Sequence, residues 1–248
     1  MTEYQKLYLD EARAGRLSPY PSLSAGNVTR TEVPGIAWFV SVGNLDEDTI
    51  DAVIRGEIEH FRALGQGFEW TVSSLDPPFL RTRLEAAGFL VGPREVTVCY
   101  PLDDSLPAPG HEVREVVDED GLADFCRVAS AVFKKDFSPS TQALRAEMHA
   151  GRRTHLAFVG YDSDGLGVST GRLLMNPEGA IAGLYSGSTL DSHRHQGFYR
   201  SVVLARMRAA YLIGARLAIV DAMPTSLPHL LNMGFEPLFE SYPCEWRP

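Results

Sequence analysis

Apolar residues at Ile50, Val53, Ile54, Ile58 and Phe61 recur every three or four positions in an otherwise polar segment. That is the period of one helix face, and it predicts a helix over 46–64. Polar helix-forming residues predict a helix over 4–14; amphipathic helices are predicted over 122–133 (Phe125, Val128, Ala129 and Phe133 on one face) and 197–213, with a short helix over 141–150. Short apolar runs bounded by turn residues predict strands at 27–31, 36–42, 68–73 and 96–100. Pro77 and Pro78 open a further helix carrying Phe79, Leu80 and Leu84, which stops at Gly88.

Residues 101–110 are rich in Pro and Asp without periodicity, a linker composition. Beyond them a strand is expected at 112–117. Three more at 156–161, 167–174 and 180–189 form a meander, the last two joined by the turn Asn176-Pro177-Glu178-Gly179. A strand at 217–220, a helix at 225–232 and a strand at 235–246 complete the pattern. This order predicts an α/β chain (α+β mixed sheet), each domain a mixed central sheet flanked by helices. The linker places the domains at 1–105 and 106–248.

An internal similarity also points to two domains. Ala63-Leu64-Gly65, an apolar strand, a Pro-containing helix and Ala87-Gly88-Phe89 in the first half match Leu212-Ile213-Gly214, strand, helix and Met233-Gly234-Phe235 in the second. Such self-similarity is the signature of a tandem repeat.

Composition narrows the partners. With 248 residues, 44% hydrophobic and 22% charged, the chain is that of an ordinary globular protein. The net charge of -9 argues against nucleic acid, which needs concentrated Lys and Arg, and is compatible with a cationic amine. No apolar run approaches the roughly eighteen residues of a membrane span, so a cytoplasmic protein without membrane contact is expected. Cys99, Cys126 and Cys244 lack metal or disulfide spacing. His193 and His195 sit two apart with no third partner, so no metal is expected.

Candidate chemistry concentrates in Gly187-Ser188-Thr189, a polar loop, and Arg194-His195-Gln196-Gly197-Phe198-Tyr199-Arg200 opening a helix. The first N–H groups of a helix lack internal partners and carry partial positive charge, so this turn can bind phosphate. Arg194-x-x-Gly197 ahead of an amphipathic helix, with Met233-Gly234-Phe235 downstream, resembles the GCN5-related N-acetyltransferase (GNAT) superfamily. In that family the signature lies between the fourth strand and the third helix and wraps the pyrophosphate of acetyl-CoA. Two positions depart from the family pattern: Tyr199 stands where a small residue is usual, and Leu230 where a Tyr acid is frequent.

The resemblance implies an acetyl-CoA-dependent N-acetyltransferase that moves an acetyl group directly to a primary amine of a small molecule or peptide. It implies a cofactor site at Gly187, Ser188, Thr189, Arg194, His195, Gln196, Gly197, Phe198, Tyr199 and Arg200. His229, Tyr185 and Asp221 are the candidate proton-transfer residues, with Glu178 a further possible base. Residues 1–105 are then a degenerate GNAT-like half without a phosphate loop, closing one side of a substrate cleft or forming a homodimer surface. Two other functions fit the resemblance: a catalytically silent acyl-CoA-binding or regulatory protein, and an aminoacyl-tRNA-dependent transferase.

Overall fold

A computed structural model describes residues 1–43 and 45–248. The chain falls into two compact units: residues 1–19 with 99–220, and residues 20–98 with 221–248. This division differs from a cut at residue 105, because both chain ends are exchanged. The physical reasons lie in a helix dock and a strand pairing. Helix α1 (Glu3–Arg13) packs with the first unit, where the carboxylate of buried Glu11 accepts from Ala180 N–H at 3.0 Å and from the Arg16 guanidinium at 2.6 Å. Strand β12 (Glu236–Trp246) runs antiparallel to β4 (Phe68–Ser73) in the second unit, pairing Trp246 with Phe68.

In the second unit, strands β1 (Ser22–Ala25), β2 (Val28–Val33) and β3 (Ala37–Val42) form a meander that continues to β4 and β12. The two-residue strand β5 (Leu90–Val91) pairs with β12, and β6 (Glu95–Pro101) follows it. Helix α2 (Ile50–Leu64) buries Ile50, Ile54, Ile58 and Phe61, and left-handed Gly65 ends it. Helix α3 (Phe79–Ala86) adds Leu80 and Leu84 to a core with Phe68, Trp70 and Trp246. Phe68 and Trp70 are core residues, whereas Trp38 and Phe39 are half-buried.

In the first unit the sheet order is β7 (Glu112–Glu115), β8 (His155–Tyr161), β9 (Gly167–Met175), β10 (Ile181–Thr189), β11 (Leu217–Ala222). Every residue of β8 and β9 is buried, as befits strands covered on both faces. Helix α4 (Glu119–Phe133) starts at Asp118, whose carboxylate accepts from Gly121 N–H at 2.8 Å. With α5 (Ser138–His149) it covers the face bearing Ala157, Val159 and Tyr161. Phe133, expected on that apolar face, is 42% exposed. Helix α6 (Phe198–Ile213) covers the opposite face, where a Cβ on Gly160 would stand 3.1 Å from Val202. Helix α7 (Leu227–Asn232) belongs to the second unit.

Candidate acyl-donor site

The end of β10 is irregular in a way that frees its backbone. Its antiparallel register with β9 runs to Tyr185↔Arg172 and resumes at Ser188↔Thr170, so Ser186 and Gly187 stand opposite Gly171 alone. Ser186 adopts a left-handed φ of 51°, uncommon for a residue with a Cβ. On the other side, β10 pairs in parallel with β11 only at Ile181↔Leu217, Ala182↔Ala218 and Gly183↔Ile219. Both strands run on past that last pair, which leaves main-chain groups of β10 outside the ladder.

Beyond the bulge the side chains are tied down. Ser169 Oγ donates to Ser188 O at 2.8 Å and lies 2.9 Å from Thr189 Oγ1, while Thr170 Oγ1 lies 2.7 Å from Ser188 Oγ. Ser188 and Thr189 are buried by these contacts, so their side chains hold the strand end in place. Gly187 needs its hydrogen: a Cβ there would come within 2.9 Å of the Tyr199 ring.

From Thr189 the chain passes through a short 3-10 turn at Asp191–His193 into α6. Gly197 caps that helix at φ 91°, without a side-chain cap and with no acidic residue in the first turn. The positive end of the helix, flanked by exposed Arg194, His195, Gln196 and Arg200, forms an anion-accepting end. Arg194 pairs with Asp191 at 2.8 Å on the surface. Behind the loop His111 stacks on buried Phe198 with ring centroids 4.0 Å apart, and its Nε2 lies 2.7 Å from Gln196 O.

Tyr199, the departure from a small residue, turns its ring inward toward Gly187, so its bulk lies away from the exposed loop. Burial pushes its hydroxyl pKa up, against the nearby Arg206 charge. Leu230 is fully buried, a core residue of the second unit. Among the proton-transfer candidates, Tyr185 shares the first unit with the loop, its ring folded over Gly183; Asp221 and exposed His229 belong to the second. Asp221 accepts from Thr97 Oγ1 at 2.6 Å. Asp221 is exposed at the end of β11, and desolvation by neighbouring protein raises its pKa against the Thr97 hydrogen bond. Glu178 is exposed in its turn.

Several buried or partly buried ionisable residues are not marked in the sequence. In the second unit desolvation raises the pKa of Glu95 to about 7, helped by Asp221 and Glu69, and raises that of Glu69, helped by Glu245 and Asp221. In the first unit Arg172 and Arg206 are buried beside the bulge, with 5% and 2% exposure. Gly171, opposite the bulge, is the one local signal of the space Arg206 needs, since a Cβ there would lie 2.6 Å from the guanidinium carbon.

No protein-family model and no curated protein sequence matches the chain. Solved structures do. A GCN5-related N-acetyltransferase from Kribbella flavida superposes with a TM-score of 0.69 at 16% identity, covering 98% of this chain and 93% of that one. This chain has the GNAT fold. A GCN5-related N-acetyltransferase from Sphaerobacter thermophilus gives 0.60 at 14% identity, over 89% and 76% of the two chains. A tandem GNAT protein from the clavulanic acid biosynthesis pathway gives 0.59 at 15%, over 98% and 94%. In the first unit, counting from β7 and α4, the Arg194-x-x-Gly197 turn joins the fourth strand to the third helix. That is the place the GNAT signature occupies in the family.

Proposed function

We propose that the chain is an acetyl-CoA-dependent N-acetyltransferase acting by direct transfer on a primary amine. The observation that carries this reading is the bulged strand end at 186–189 leading, within one unit, into a helix whose cap at Gly197 has no side-chain partner. Its chemistry fits a diphosphate joined to a pantetheine arm: the first turn of α6 presents the positive end of a helix, cationic side chains surround it, and β10 runs on past its last pairing with β11.

In this reading the positive end of α6 at Gly197 receives the diphosphate, and Arg194 and Arg200 add charge at its rim. The main chain of Gly187, Ser188 and Thr189 binds the arm and directs a donor at the thioester oxygen. Bound acetyl-CoA supplies the acyl group: the amine nitrogen bonds to the carbonyl carbon as the C–S bond breaks, the amine proton passes to water or a base, and CoA departs as the thiol. Tyr185 is the candidate proton donor in the loop's own unit. Asp221 and His229 are the other candidates, and the net charge of -9 is compatible with a cationic acceptor.

The test is release of CoA thiol from acetyl-CoA in the presence of small amines and peptide amino termini. Amine-dependent release that Gly197→Asp abolishes supports the transferase. A second reading, a silent acyl-CoA-binding protein, is favoured by buried Leu230 at the position where the family often keeps an acid. Tight acetyl-CoA binding without release across the whole panel would select it.

A further inference from the structure

Arg206 is a full positive charge in the protein interior without a carboxylate to balance it. Its side chain rises from the third turn of α6, and its donors go only to main-chain oxygens. Nε donates to Val202 O at 3.2 Å, and Nη1 donates to Arg172 O and Tyr185 O, each at 3.1 Å. Among the described residues no acidic group forms an ion pair with it. Burying an unpaired cation is costly, and a leucine or methionine would fill an α6 core position without that cost. Desolvation lowers its pKa to about 10, so it stays charged at neutral pH.

The target of the guanidinium is the β10 irregularity. Tyr185 is the last residue of β10 in register with β9 before the bulge, and Arg206 binds its oxygen. Gly171, opposite the bulge, supplies the room, and Gly187 leaves Arg206 Nη2 within 3.4 Å of where its Cβ would be. From the other face of the sheet Arg172 donates to Ser186 Oγ at 2.8 and 3.1 Å, holding that residue in its left-handed conformation. Two cations thus grip consecutive residues, Tyr185 just before the bulge through its carbonyl and Ser186 within it through its hydroxyl.

We propose that Arg206 is a positioning residue for acyl transfer: its guanidinium fixes the 185–187 bulge, and its buried charge polarises the acyl carbonyl received by the main chain that follows. This rests on the acyl-CoA reading above. Preorganised donors and fixed charge in a dry site act most strongly where negative charge develops, and the thioester oxygen is that place.

The experiment needs no acceptor. Acetyl-CoA labelled with carbon-13 at the acetyl carbonyl is bound to the protein, and the isotope-edited infrared carbonyl stretch is compared with free acetyl-CoA. The expected result is a stretch at lower wavenumber in the wild type, most of that shift lost in Arg206→Met and part of it kept in Arg206→Lys. Gly171→Ala, which places a methyl where the guanidinium sits, should lose the shift while retaining the arginine, and stands in if Arg206→Met does not fold. A folded variant that binds acetyl-CoA and keeps the wild-type stretch overturns the proposal. So does a bound wild type whose stretch equals that of free acetyl-CoA, and that result leaves the acyl-CoA reading standing. Absence of any binding by the wild type in a direct titration overturns both.

Discussion

The Nε2 of His111 lies 2.7 Å from the main-chain oxygen of Gln196, the residue before the Gly197 cap. The contact ties the approach to β7 to the loop that opens α6, and Ser201 Oγ reinforces it by accepting from the N–H groups of Gly110 and His111 at 3.2 Å. A preordered loop loses less entropy when it closes on a ligand. His111→Ala should weaken acetyl-CoA binding by about fivefold, the worth of one net hydrogen bond near 1 kcal/mol. Calorimetric titration checks this, and an unchanged affinity would mean that the loop holds its shape without the histidine.

Glu11 anchors α1 to the first unit. Its pKa is lowered first by the Arg16 hydrogen bond, against desolvation, with Ala180 N–H also lowering it. A lowered carboxylate contributes stability that is present above its unfolded value near 4.5 and lost as pH falls through the folded value. Glu11→Gln should cost about 1–3 kcal/mol at pH 7 and less at pH 3. Urea unfolding at the two pH values measures it, and an equal cost at both would remove the ionic explanation.

His155 is 3% exposed, and its pKa is lowered to about 3, chiefly by desolvation and then by Arg172, with Glu147 opposing. The unfolded chain takes up this proton near pH 6.5 while the folded chain resists it. Stability therefore falls as pH drops from about 6.5 toward 3, by an amount on the order of 4 kcal/mol. His155→Gln should flatten that acid slope. Melting temperatures recorded from pH 7 to 4 test it; parallel curves for wild type and variant would assign the acid sensitivity elsewhere.

Glu95 has the opposite sign. Its pKa is raised from 4.5 to about 7, so its contribution to stability is complete below 4.5 and is lost as pH rises through 7. Glu95→Gln should gain on the wild type between pH 5 and 8, by no more than about 1 kcal/mol because the group is partly exposed. A variant that tracks the wild type across this interval would show that water screens the acidic group fully.

The periodic elements were legible because burial imposes the pattern directly: Ile50, Ile54, Ile58 and Phe61 face one core and recur at helical spacing. Strands β1 and β5 were not. Ser22–Ala25 is exposed along its whole length and Leu90–Val91 has two residues, so neither alternates. The exchange of chain ends was invisible for a different reason. Glu11 with Ala180, and Trp246 with Phe68, are contacts far apart in sequence, whereas linker composition at 101–110 is local. At the site, Gly197 and its helix could be read from turn chemistry, but Arg206 looks like any polar residue on an amphipathic helix. Only the fold shows that Gly171 opens a space for it under the strand.

The central claim is that the α6 cap holds the diphosphate of acetyl-CoA, and the thermal shift produced by acetyl-CoA in wild type and in Gly197→Asp tests it most directly. Aspartate tolerates the left-handed backbone better than most residues and adds a negative charge at the helix end that would bind the phosphates. At a ligand concentration near 100 times Kd, stabilisation of about 2.7 kcal/mol should raise the wild-type melting temperature by about 5–10 °C. The account predicts that rise in the wild type and its loss in a folded Gly197→Asp. An equal rise in both proteins would contradict it.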